Sequence, residues 1–245
     1  MMRRAGFTLV ELMVSMALGM LVLLLGVAGL RAVGEGYGRG TDGVASEREA
    51  RAILTQAAED LSKAVRGREM VFGGSTDAWR KDRLGFLCLQ PDDAQSDSER
   101  VGDLCAVVYY IKDLKIGRDT VRCLLRGFRG SDETFEALRT GNESSLFVGE
   151  PADEPVAFGV LAFKVEPSVR GADGEWEDWQ QTADPDWVGP DAVRLVLVVA
   201  RRELVAKLRD TGAWDNSPLL GDPDDAEFSD QLETYEIFQP FGHDS

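Results

Sequence analysis

The sequence predicts an α+β fold: a long N-terminal α-helix, membrane-spanning in its first half, packed on an antiparallel β-sheet domain. Three observations predict it. The chain carries no charge from Leu12 to Leu30, a stretch of about 28 Å as a helix. From Ala50 to Val65 apolar residues recur at spacings of three and four, the period of an amphipathic helix. Beyond residue 80 that period gives way to short runs rich in Val, Leu and Phe, the composition of strands.

Composition narrows the function before any motif does. The 245 residues are 44% hydrophobic, enough for a core, and carry a formal net charge of −16. So acidic a chain does not suit nucleic acid, whose phosphates are held by clustered Lys and Arg. His243 is the only histidine, which removes most imidazole catalysis and His-ligated metal chemistry. No G-x-S-x-G, P-loop or dinucleotide fingerprint occurs, so no enzyme is expected.

The N-terminal element comes first. Residues 1–6 hold Arg3 and Arg4 and no acid, and from Phe7 to Leu30 only Thr8, Glu11 and Ser15 interrupt an apolar or small run. The arginines favour a cytoplasmic N-terminus, with the C-terminal bulk across the membrane. A secretory signal peptide would have a shorter apolar stretch and a small-residue cleavage site. A plain anchor would explain the length but not Glu11, a costly group in lipid. A buried core helix would not need a stripe so uniformly apolar.

Gly6-Phe7-Thr8-Leu9-Val10-Glu11, after a basic leader and before a long apolar helix, resembles the processing site of type IV pilins and type II secretion pseudopilins. The resemblance implies that a prepilin peptidase cuts between Gly6 and Phe7 and methylates the new N-terminal Phe7. It also implies that Glu11 serves filament assembly with other pilin or pseudopilin subunits. The chemistry of the positions agrees. Gly6 lets an extended chain enter a narrow cleft, and a cationic amine at Phe7 opposes the helix dipole unless Glu11, one turn on, offsets it.

The size and helix charges are similar to the larger J-type pseudopilins and W-type minor pilins. The Cys105–Tyr110 and Val121–Cys123 stretches are similar to the C component of Verru_Chthon cassettes. The implied place is the inner membrane, single-pass, with the C-terminal domain periplasmic or extracellular.

The remaining elements follow in order. Gly34, Gly36, Gly38, Gly40 and Gly43 weaken any helix, and read as a hinge or a linker. An amphipathic helix over roughly 44–66 should then lay its apolar stripe on a sheet, with Glu59 and Asp60 among its charged residues, and stop near Gly67. Strands are expected at Arg83–Leu89, Leu104–Ile111, Thr120–Phe128, Val156–Val165 and Ala192–Ala200. Short helices are expected at Asp132–Arg139 and Arg201–Leu208. Hairpin loops are read at Gln90–Gly102 and Lys112–Asp119. The stretch 171–190 reads as a long loop whose Trp176, Trp179 and Trp187 cover the sheet, and 211–245 as a draping tail. The divisions are thus 1–6 leader, 7–33 assembly helix, 34–66 hinge and amphipathic helix, and 67–245 globular domain.

Cys88, Cys105 and Cys123 all fall in expected strands. Hairpin folding brings either Cys88 to Cys105 or Cys105 to Cys123, leaving one thiol over; three small core residues is the other reading. No CxxC pair occurs, so no zinc site is expected. Asp222, Asp224, Asp225 and Glu227, and separately Asp184, Asp186 and Asp191, form acidic clusters without EF-hand spacing. They read as solvated surface and no cofactor is expected, although calcium binding by some pseudopilins keeps calcium as an alternative. The expected function is a minor pilin or pseudopilin. The alternative is a membrane-anchored extracytoplasmic binding module that never polymerises and uses the tryptophan loop for recognition.

Overall fold

The computed structural model describes residues 13, 16, 20, 47–65, 70–90, 102–179, 189–222 and 230–241. The chain divides into two compact units, Met1–Ala45 and Ser46–Ser245. In the first, Met13, Met16 and Met20 are helical with exposed side chains. The second unit holds the remaining elements.

It begins with α1, residues 47–62. Ala50, Ile53, Leu54, Ala57 and Leu61 fall on one face and are buried, while Arg48, Glu49, Arg51 and Glu59 are exposed. Next come β1 (Val71–Gly73), β2 (Arg83–Leu89), β3 (Leu104–Ile116) and β4 (Asp119–Arg129). Helix α2 (Ser131–Thr140) and a 3-10 turn (Glu143–Phe147) lead to β5 (Glu154–Phe158). Then β6 (Val160–Arg170), β7 (Trp176–Asp178) and β8 (Ala192–Ala200) precede α3 (Arg202–Val205), α4 (Thr211–Asn216) and β9 (Leu232–Pro240).

The strands form two antiparallel sheets, ordered β1-β2-β3-β4-β5 and β7-β6-β8-β9. Alternation along each strand decides what faces what. Leu84, Phe86 and Cys88 of β2 join Val193, Leu195, Leu197 and Val199 of β8 in one core with the apolar stripe of α1. The far face of the first sheet packs Leu87, Val108 and Leu125 against Ala137 of α2 and Phe147 of the turn. The far face of the second packs Leu161 and Val198 against Leu204 of α3 and Trp214 of α4.

Among the contacts that join the sheets, two are specific to single residues. Asp82, fully buried, accepts the Val165 N–H at 2.8 Å and the Arg80 guanidinium at 2.6 Å. Gly159 is the other. Its N–H donates to Arg122 O and its carbonyl accepts from Ala200 N, each at 2.8 Å, so one residue bonds both sheets. Its φ of 74° is open to glycine and strained for L side chains, and an added Cβ would lie 2.8 Å from Val205 Cγ2. This bend is why the single strand expected over Val156–Val165 is two strands in different sheets. An isolated glycine inside a strand pattern is the local signal of such a bend.

The expected fold class needs correction. The class is α+β, but the β domain has two sheets, and α1 lies in the core they share rather than on one sheet. Among the described residues, no helix is long and apolar enough to cross a membrane. Helix α1 is about 24 Å long and carries an exposed charged face, including the Glu47–Arg51 ion pair at 2.8 Å. The expected long membrane-spanning helix, the transmembrane assignment and the single-pass inner-membrane topology with its periplasmic C-terminal domain are therefore withdrawn. Apart from the three methionines, residues 7–33 lie outside the described residues, as do the leader 1–6 and the Gly-rich stretch 34–43.

Other boundaries moved as well. β3 and β4 run on to a tight turn at residues 117–118, so the loop expected over Lys112–Asp119 is mostly strand. The expected C-terminal tail contains α4 and the nine-residue β9, paired with β8 along its whole length.

Candidate functional site

Gly6, Phe7 and Glu11 lie outside the described residues. What the second unit contributes is a set of buried charge clusters and the three cysteines.

The first cluster anchors α1. Asp60, 6% exposed, accepts from the Tyr109 hydroxyl (2.7 Å), Gln90 Nε2 (3.0 Å) and Arg126 Nε (2.9 Å). Burial, reinforced by the Asp60 carboxylate, raises the Tyr109 phenol well above its usual range, so it stays a donor. Burial opposes the charge of Arg126, but its hydrogen bond to Asp60 outweighs that and raises it. Asp60 sits three residues after Ala57 and seven after Ile53, within the apolar stripe, and that spacing is the sequence signal of its burial.

The second cluster lies under α4. Arg122, 1% exposed, donates to Asp113 (2.8 Å), Asp215 (2.8 Å) and the Trp214 carbonyl (3.0 Å), with its guanidinium 5.9 Å from the Trp214 ring centroid. Lys81 Nζ reaches Asp215 at 2.9 Å and Asp77 at 3.4 Å. These residues border a cleft of about 280 Å³ lined by Asp77, Ala78, Trp79, Lys81, Asp215 and Asn216. Desolvation would raise the Asp215 carboxyl, but hydrogen bonds from Lys81 and Arg122 overcome it and hold it below the usual range. A carboxylate kept ionised between two cations is a poor proton donor and a poor base.

The third cluster joins the far face of the first sheet to the β5 approach. Arg129 donates to Asp153 at 2.6 Å and to the Val148 carbonyl at 2.8 Å. Asp153 also accepts from the Tyr110 hydroxyl (2.9 Å) and the Glu150 N–H (2.7 Å). Arg129 Nε makes no hydrogen bond and sits 3.8 Å from both Glu133 and Glu150. Burial, then the Glu150 charge, raises the Glu133 carboxyl, and burial with the Asp153 bond pushes Tyr110 up to about 12. Most of the charged groups in the three clusters pair with one another, while Arg129 Nε and Gln90 Oε1 make no hydrogen bond.

Cys88 lies directly opposite Cys105 in the β2–β3 register, while Cys123 lies opposite Lys112. Cys88 and Cys105 belong to the core around α1, and Cys123 to the apolar cluster on the other face. All three are buried thiols. Among the described residues no group of three His, Cys, Asp or Glu is placed to hold a metal ion. Asp184, Asp186, Asp224, Asp225 and Glu227 lie outside those residues, and Asp191 accepts the Arg170 N–H at 2.9 Å. Two of the three tryptophans are engaged within the fold. Trp176, on β7, meets Phe238 edge-on at 5.0 Å and Trp179 meets Phe72 at 5.5 Å, while Trp187 lies outside the described residues.

Residues 1–27 match the prokaryotic N-terminal methylation motif. The match takes in the basic leader, Gly6, Phe7, Glu11 and most of the apolar run. In structure the chain is similar to a type IV-like pilin from Thermus thermophilus, with 17% identity, a TM-score of 0.42, and coverage of 80% of this chain and 95% of that one. No curated protein matches the chain in sequence.

Proposed function

We propose that this chain is a structural subunit of a pilus-like or secretion filament, a minor pilin or pseudopilin, matured by a prepilin peptidase between Gly6 and Phe7. The observation that carries the reading is the methylation motif over residues 1–27. The second unit supports it by what its charges do: the buried ions brace α1 and the two sheets.

In this reading the cut creates a cationic amine at Phe7, and methylation leaves that charge in place. Glu11 is its nearest acid in the sequence, one helical turn on. When subunits pack, the pair is removed from water, and a buried ammonium without its carboxylate costs about 3–5 kcal/mol. The assembly role of Glu11 follows from that cost.

Two measurements test the reading. Intact-mass analysis of protein from cells that carry a prepilin peptidase should show loss of residues 1–6 and one added methyl group at Phe7. A chain that keeps residues 1–6 in such cells, or that is cut after residue 30, would overturn it. Glu11→Leu should still be processed, yet its recovery with sister subunits at matched cellular levels should fall about tenfold or more. Equal recovery of Glu11→Leu and wild type would reject assembly through this residue and favour the non-polymerising binding module.

A further inference from the structure

We propose that Cys88 and Cys105 are a redox pair that closes into a disulfide across the β2–β3 hairpin, with Cys123 remaining a thiol. The pairing does not depend on the filament reading, because it rests on the register of two strands.

The two residues are direct partners in an antiparallel ladder. Two positions further along, the Gln90 N–H donates to the Asp103 carbonyl at 3.0 Å, which makes 90 and 103 a hydrogen-bonded pair. Pair classes alternate along an antiparallel ladder, so Cys88 and Cys105 fall in the same class, with Cα atoms about 5.5 Å apart. That Cα spacing lies inside the span of about 4.4–6.8 Å that a disulfide bridges, while the Cβ atoms of a hydrogen-bonded pair, about 5.5 Å apart, must close by about 1 Å to reach the usual 3.5–4.5 Å. Both side chains point to the same face, since Phe86 and Val107, two residues away on each strand, share their core. Cys123 is excluded by the same rule: it faces the opposite side of the sheet, with Leu87 and Val108.

The surroundings decide when the bond forms. Cys88 and Cys105 are completely buried. Burial pushes the Cys88 thiol up to about 12, partly offset by the hydrogen bond from Gln90 Nε2 at 3.3 Å. In the folded chain Cys88 is therefore held as the thiol rather than the thiolate, the species that exchanges. Closure belongs to the folding chain, before α1 covers the pair, and the finished bond is shielded from reductants.

The oxidant is a disulfide of the thiol-exchange class, oxidised glutathione or an oxidoreductase. The Cys88 thiolate attacks it, forming a mixed disulfide and releasing one oxidant thiolate. The Cys105 thiolate then attacks Cys88 Sγ and releases the second. Two thiols of this chain are oxidised, one oxidant disulfide is reduced to two thiols, and the two protons pass to the leaving thiolates.

The test is refolding of the full chain from denaturant in a buffer of oxidised and reduced glutathione, followed by alkylation and non-reducing peptide mapping. The expected result is one linked species, Cys88 to Cys105, lighter by two hydrogens, with Cys123 as the single alkylated position. Cys123→Ala should give the same link, and Cys88→Ala should give none. Once folded, the oxidised chain should keep its link in dithiothreitol and lose it only when denaturant is added. Three alkylated cysteines at every glutathione ratio, or links to Cys123 as frequent as the Cys88–Cys105 link, would overturn the proposal.

Discussion

Asp153→Ala should lower the unfolding free energy by about 3–5 kcal/mol, because it leaves the Arg129 guanidinium buried without its carboxylate. The side chains of Arg129 and Asp153 are 3% and 1% exposed, so water cannot replace the lost partner. The Tyr110 hydroxyl and the Glu150 N–H lose their acceptor in the same step. Urea denaturation at pH 7 would show the fall as a lower midpoint with an unchanged slope. A loss below about 1 kcal/mol would mean that Glu133 and Glu150, each 3.8 Å from Arg129 Nε, take over the pairing.

The same carboxylate also sets an acid limit. Burial by itself would raise the Asp153 carboxyl, but the Arg129 bond, the Glu150 N–H and the Tyr110 hydroxyl outweigh it and hold it below the usual carboxylate range. A carboxylate depressed on folding contributes stability that is present above its unfolded value, about 3.9, and is lost as pH falls from there through the folded value. Asp215 is depressed as well and adds to the same limb. Stability should therefore drop below about pH 4 in the wild type. In Asp153→Ala the drop should be shallower, with the Asp215 share remaining.

Trp214→Ala should cost a similar amount, about 3–5 kcal/mol, the usual range for emptying a buried aromatic site. The indole is wholly buried on α4, donates from Nε1 to the Thr120 carbonyl at 2.9 Å and stacks with Arg122. Its removal hollows the cluster formed with Leu161, Val198, Leu204 and Leu220. Arg122 keeps Asp113 and Asp215, so the defect is one of packing rather than of an orphaned charge. Trp214→Phe should fall between the two, since it keeps a ring and forfeits the Thr120 bond, about 0.5–1.5 kcal/mol. Equal denaturation midpoints for Trp214→Ala and wild type would show that α4 does not stabilise the second sheet.

Local patterns read the elements that local energetics controls. The spacing of Ala50, Ile53, Leu54, Ala57 and Leu61 predicts α1 and the face it buries, and both ends of β2 and β8 fall where their apolar runs begin and end. The methylation motif over residues 1–27 is likewise legible, because it is carried by consecutive residues and needs no fold to bring them together. Periodicity reports that a face is apolar; it does not report what covers that face. Only the tertiary structure decided that two sheets share α1, that the chain changes sheets at Gly159, and that β9 comes back to pair with β8. It also placed Asp60 inside, where Tyr109, Gln90 and Arg126 arrive from 49, 30 and 66 residues away. The choice of Cys105 over Cys123 as the residue facing Cys88's side of the core was settled in the same way, by which face of the sheet each side chain takes. The free energy of such pairings lies in contacts between distant segments, and no window along the chain contains both partners.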